Sequence, residues 1–345
     1  MKKLSVIAII LTALVSCKKE TKTVTQIDPK TGDTVKVEVH VTKEDEIKIA
    51  ISDSAGVYHQ SFLLEKGKTY PFVTSQKEVT TLSAPTGEKQ TVTSESTDEV
   101  TFTINDVVNG VYDITINFVG KKTSQSSNGK TLSVDTKAAA PTEPNLKNKW
   151  SMDKALTGNQ LKMKMDQKGN ITSITGFDPI YAKINKALEP IAKDAKLRAD
   201  LLSNTKNGFN ETVLKTQFTN NILVLPKKGA KIGEKWTKSE NASQDGKIKL
   251  TTTYTLKSIT NGIAEITVSG GIPKQTDQQS QNGFTQTMSS ELNQNGSIKF
   301  DQNSGWLNYQ SIVVKTIENQ TITDGKEKRT MGSVSTSNVM VNSNK

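Results

Sequence analysis

The sequence predicts a mainly β, β-rich α+β fold, with two repeat-related antiparallel modules forming curved sheets and an amphipathic helical segment between them. Three observations carry this prediction. Period-two alternation runs through long Thr- and Val-rich stretches, two matching series of motifs recur in the same order, and one stretch between them has helical spacing. Hydrophobic residues make up 33% and aromatic residues 5% of the chain. The core is therefore expected to come from β-branched and aliphatic side chains on one face of long sheets.

The chain begins with a leader. Lys2 and Lys3 precede an apolar run over residues 4–15 that is shorter than a bilayer span, and Leu14-Val15-Ser16 leads into Cys17, the only cysteine. This reads as a lipoprotein signal peptide over 1–16 with lipidation at Cys17, the membrane being reached through acyl chains; stable attachment takes two such signals. Residues 17–56 read as a flexible tether. Its turn cluster, Asp28-Pro29-Lys30-Thr31-Gly32-Asp33, is flanked by alternation over 23–27 and 34–41, and a lone two-stranded hairpin of that kind is marginal.

The first β module is assigned to 57–176 and the second, with extra C-terminal strands, to 222–345. Residues 101–116 align without gaps on 253–268, and Gly67-Lys68-Thr69-Tyr70 matches Gly233-Glu234-Lys235-Trp236. Asn128-Gly129 matches Asn282-Gly283, and 161–169 resembles 297–305 with one residue inserted. Phe102, Ile104, Tyr112, Ile114 and Ile116 alternate with polar residues, as on a sheet with one buried face. Asn109-Gly110 and Asn261-Gly262 supply the positive φ angles of tight hairpin turns. Tyr70 and Trp236 read as core residues.

Residues 177–221 read as a helical connector packed on the apolar face of the sheet. Asp178 is expected to cap it, with Pro179 at the first helical position and Ile180, Ile184, Leu188 and Ile191 forming one stripe. Pro190 is expected to kink or split the segment. A second piece follows over 196–202, and a third from Asn210 carries Val213, Leu214 and Phe218 on one side.

Little chemistry is encoded. The two histidines, His40 and His59, and the single cysteine leave no His-based triad, multi-His metal site or free thiolate. No cofactor is expected and the chain reads as a non-enzyme. One arrangement stands against this: the repeat-equivalent acids Asp166 and Asp301, or Asp113 and Glu265, could converge as a glycosidase pair. Turn-forming Asp and exposed strand acids are the commoner use of such residues. The net charge is +10, or +8 once Lys2 and Lys3 are removed with the leader. Arginine occurs only at Arg198 and Arg329, and the lysines are scattered among acids, which argues against nucleic acid as a partner.

The stretch Ile222-Leu223-Val224-Leu225-Pro226, followed by Lys231-Ile232-Gly233-Glu234-Lys235-Trp236 and later Asn-Gly hairpins, resembles the lipoproteins of Bacteroidota grouped as domain of unknown function 6263. The first copy is a looser match, since Phe62-Leu63-Leu64 lacks the proline and Tyr70 replaces the tryptophan. The resemblance implies a β-rich fold and a lipid anchor in the outer membrane, and assigns no catalytic residue. Surface export in that group is expected to need acids just after the cysteine, and Lys18-Lys19-Glu20 lacks such a cluster, so a periplasm-facing anchor is expected. Asp33-Thr34-Val35 and Asp53-Ser54-Ala55 match the short O-glycosylation motif of the same phylum, marking Thr34 and Ser54. Two functions stay open: a lipid-anchored, non-catalytic protein that binds or carries an apolar ligand in its curved scaffold, and a structural or protein-interaction lipoprotein with a filled core. A void on the concave face would separate them.

Overall fold

The computed structural model describes residues 21–27, 34–40, 49–243 and 245–343. The chain divides into Met1–Lys48 and Ile49–Lys345. In the first unit, strands β1 (Thr21–Ile27) and β2 (Thr34–His40) pair antiparallel from Thr21↔His40 to Ile27↔Thr34. The stretch read as a flexible tether thus contains a hairpin, formed by the Thr/Val alternation on either side of the turn cluster. The second unit begins at Ile49, ahead of the Gly56 boundary, because Ala50 and Ile51 are fully buried.

The second unit runs β3 (Ile51–Ser54), β4 (Val57–Gln60), β5 (Thr69–Ser83), β6 (Lys89–Val108), β7 (Val111–Ser127), β8 (Lys130–Asp135), α1 (Pro144–Leu156), β9 (Gln160–Asp166) and β10 (Ile171–Thr175). It continues through α2 (Phe177–Leu188), α3 (Ala195–Gly208), α4 (Glu211–Ile222), β11 (Lys235–Asn241), β12 (Lys249–Thr260), β13 (Ile263–Gln281), β14 (Phe284–Asp301), β15 (Leu307–Thr323) and β16 (Lys328–Asn342). β3 and β4 form a small hairpin, and the rest form one antiparallel sheet of 12 strands in the order β10-β9-β7-β6-β5-β16-β15-β14-β13-β12-β11, with β8 beside β7.

Strand register superimposes the two copies. Tyr70 faces Phe102 as Trp236 faces Tyr254, and Val111 faces Asp166 as Ile263 faces Asp301. Both copies carry a bulge at the same place, at Asn105 in β6 and at Lys257 in β12. The copies part where the first inserts α1: β8 and β9 are two halves of the strand that β14 makes whole. The last strand, β16, closes the gap between the copies by pairing with β5 from Asn342↔Val73 to Gly332↔Ser83.

Alternation puts Tyr70, Phe72, Phe102, Ile104, Ile114, Ile298 and Leu307 on one face, all buried. The connector helices cover the base of that face. Ile180, Ile184 and Leu188 of α2 and Leu214 and Ile222 of α4 lie in the same core. Trp306 sits among Phe102, Tyr70 and Phe62 at centroid distances of 5.2, 5.3 and 6.4 Å, while Phe218 of α4 stacks edge-on to Phe102 at 5.2 Å. Such aromatic contacts add to area burial by about 0.5–1.5 kcal/mol each.

Helix boundaries differ in detail from the sequence expectation. α2 starts at Phe177 with Gly176 at its N-cap (φ 102°), so Asp178 and Pro179 fall inside the first turn. Helix α2 ends at Leu188, before Pro190, leaving Ile191 outside the stripe and 40% exposed. Helix α1 was not anticipated. Glu143 caps it by accepting from the amides of Asn145 and Leu146, with Pro144 at its start, but it buries only Ala155 and so has no apolar stripe to read.

Candidate functional site

Above the base, the same strands continue as a curved sheet whose concave face is covered only at one side, where α1 packs on β7 and β8. A kink marks the change of level. In β13, Gly270 and Gly271 take φ of 146° and 151°, a conformation open only to glycine, and a Cβ on Gly270 would lie 2.0 Å from the Thr251 carbonyl. At the matching height of the first copy, β6 and β7 shift register between Glu99 and Val100. Bulges and glycine kinks of this kind curl a sheet.

Above the kink the concave face first carries a belt of cross-strand hydrogen bonds. Gln76 Nε2 donates to Ser337 Oγ at 3.1 Å, Ser335 Oγ donates to Glu78 Oε1 at 2.7 Å, and Gln294 Nε2 reaches across Gly270 to Thr252 Oγ1 at 2.6 Å. Beyond the belt lies a trough of about 1200 Å³, lined among others by Leu82, Gln90, Asp277, Met288, Glu318 and Met331. Asn128, in the β7–β8 turn, and Ile248, just before β12, line it as well. β7 and β12 stand seven places apart in the sheet, which on a flat sheet at ~4.8 Å per strand would separate them by ~34 Å. Only a curled sheet brings both to one cavity.

Register fixes the pattern of the lining. One row across the concave face reads Leu82, Ser333, Glu318, Ser290, Gln275, and the next reads Met331, Gln320, Met288, Asp277. Leu82, Met288 and Met331 are 43%, 44% and 37% exposed, so these side chains face open space rather than a packed core. Methionine and leucine there form an adaptable apolar floor, with carboxylates, hydroxyls and amides between them. The volume is larger than the roughly 300–1,000 Å³ of ordinary ligand sites, and the lining is more polar than in most.

The four candidate catalytic acids are each held by local partners. Asp166 accepts from the amides of Lys168 and Asn170 and from Asn170 Nδ2 at 2.7–2.9 Å. Partial burial pushes its carboxyl up, but these hydrogen bonds outweigh it and hold it below the usual Asp range. Asp301 caps its own turn through the Ser304 amide (2.7 Å) and hydroxyl (2.8 Å). The two turns are near one another, since the Phe62 amide donates to the Gln167 carbonyl (2.7 Å) and the Leu63 amide to the Ser304 carbonyl (3.0 Å). The strap of residues 61–63 thus bonds to both turns. Asp113 and Glu265 lie on the convex face, bound by the two bulge residues: Asn105 Nδ2 to Asp113 at 3.0 Å and Lys257 Nζ to Glu265 at 3.0 Å. No group of three or more His, Cys, Asp or Glu side chains among the described residues is placed to hold a metal.

Cys17 lies outside the described residues; Thr34 opens β2, and Ser54 ends β3 as an exposed residue beside the Asp53–Gly56 turn. Among the described residues no helix is long and apolar enough to cross a membrane.

The family model described as "Family of unknown function (DUF6263)" matches residues 109–307. Among curated proteins none matches this chain. Solved structures with some likeness include lipovitellin, described for its lipid–protein interactions, at 12% identity and TM-score 0.37 over 81% of this chain and 25% of that one. The chain thus spans a quarter of lipovitellin's length. Others are OccK5 of Pseudomonas aeruginosa (6% identity, TM-score 0.20, covering 80% and 99% of the two chains) and an outer membrane channel of Pseudomonas putida F1 (9%, 0.19, 84% and 99%). Likenesses this distant say nothing of function.

Proposed function

This chain belongs to the family of unknown function DUF6263, and we propose that it is a non-catalytic envelope protein, anchored through Cys17 in the outer membrane and facing the periplasm, that holds a ligand with an apolar part in the trough of its curled sheet. The observation that carries this reading is the contrast within single strands. β5, β14 and β16 contribute packed side chains at the base and solvent-facing Leu82, Met288 and Met331 in a cavity of about 1200 Å³ at the other end. The leader and the lone cysteine support the anchor, and the local use of each paired acid supports a role without catalysis. O-glycosylation at Thr34 and Ser54 is part of the same envelope reading.

The test is binding of a fluorescent twelve-carbon acyl probe to the purified full chain and to the same chain carrying Leu82→Asp with Met288→Asp. The apolar leader is common to both, so its contribution cancels. A saturable signal at one probe per chain, weakened at least about tenfold (~1.4 kcal/mol) in the variant, is expected. Equal binding by both chains, or none by the wild type, would overturn the ligand reading and favour a protein-interaction lipoprotein, for which the filled base of the concave face already speaks.

A further inference from the structure

The charges around the trough run against those of the chain. The sequence carries +10 overall, yet the charged residues lining the trough are the three acids Glu88, Asp277 and Glu318 against one base, Lys89. None of the three acids forms an ion pair among the described residues. Glu318 accepts only from Ser333 Oγ at 3.3 Å, and Asp277 only from Gln279 Nε2 at 3.3 Å. Elsewhere the acids of this sheet do find lysines: Asp98 has Lys121 at 2.7 Å and Glu95 has Lys77 at 2.8 Å.

The register sets these carboxylates among the apolar groups. Asp277 pairs directly with Met288 on the neighbouring strand, and Ser333 stands between Glu318 and Leu82. Directly opposed side chains of adjacent strands lie roughly 5 Å apart. An occupant that covers Met288 and Leu82 therefore displaces water from around Asp277 and Glu318. An anionic head there would add repulsion to that desolvation, and a neutral one would leave it uncompensated; a cation offsets it.

We infer that the trough is selective for cationic amphiphiles, an alkyl or ring body carrying an ammonium or guanidinium group. This rests on the reading of the trough as a ligand site. The acids choose the head, while Leu82, Met288 and Met331 take the body.

Three probes with one twelve-carbon tail and a trimethylammonium, maltoside or sulfate head test it, titrated below their micelle concentrations into the full chain at low salt. The ammonium probe should bind about tenfold more tightly than the maltoside, with the margin shrinking in 0.5 M salt as screening rises. Asp277→Asn with Glu318→Gln should bring ammonium and maltoside level, both side chains being exposed enough for the fold to tolerate the change. Equal or tighter binding of the sulfate or maltoside probe, still abolished by Leu82→Asp with Met288→Asp, would overturn the cation preference while the trough stands. Binding of no probe would overturn the trough itself.

Discussion

The base and the tip of this sheet are built from the same strands, yet they obey opposite rules. At the base, Phe102 and Leu307 are 1% and 0% exposed, and helices α2 and α4 complete a single core. At the tip, Leu82 and Met331 on strands β5 and β16 stand 43% and 37% exposed, with no helix over them. Alternation alone does not separate the two, because period two continues through both. What separates them is the side-chain inventory of the inward positions. Large aromatic and aliphatic groups at the base attract helices, whereas Ser, Thr, Gln and Glu above the kink bond across strands and leave the sheet open over β5, β16, β15 and β14.

If that contrast is right, the largest stability loss comes from the base. Phe102→Ala removes a ring that touches Phe72, Phe218 and Trp306, and denaturant unfolding should show a loss of about 3–5 kcal/mol. Next is Gly305→Ala at the strap. Gly305 has φ of 72°, and an added Cβ would lie 1.9 Å from the Ser61 carbonyl, so the strap must move. A loss of about 2–3 kcal/mol is expected, joining left-handed strain to displaced backbone.

A smaller and opposite effect tests the edge of the base, where the two copies differ. Phe72 of the first copy packs on Phe102 at 5.7 Å, but the second has Lys238 in its place, its Nζ 5.6 Å from the Tyr254 ring centre and 3.4 Å from the Leu223 carbonyl. Burial lowers the Lys238 pKa, with nearby Glu240 opposing the shift. The folded state thus gives up this proton at a lower pH than the unfolded chain does. Stability should rise as pH climbs through the window just below the ordinary lysine value of 10.5. Lys238→Met should stabilise by about 1 kcal/mol at neutral pH and abolish that alkaline rise, as thermal melts across pH would record. The smallest effect lies at the tip: Met331→Ser should change stability by no more than ~0.5 kcal/mol while weakening probe binding.

Much of the base was legible from residue order. Asn109, Asn128, Asn261 and Asn282, each followed by glycine, all take positive φ in hairpin turns. The duplicated motifs agree with the register strand by strand, and Ile180, Ile184 and Leu188 mark the helix that is buried. Other features left no local trace. The pairing of β16 with β5 joins residues far apart in the chain through Ser, Thr and Val runs that would suit either face. Helix α1 has a cap and a proline but no stripe, and the bulges at Asn105 and Lys257 replace one residue count by another without changing composition. The trough was the least legible feature, since its lining comes from separate strands and its polar alternation looks alike on both faces.

An open trough sits above a packed base on one continuous face, and thiol reactivity reads both directly. Because Cys17 is the only cysteine, a chain with Cys17→Ser and one new thiol reports on a single place. Met331→Cys should react with maleimide nearly as fast as a free thiol, and saturating dodecyltrimethylammonium should slow it about tenfold, while Leu307→Cys stays protected throughout. A protected thiol at position 331 without ligand, or a rate there that no probe changes, would contradict the account.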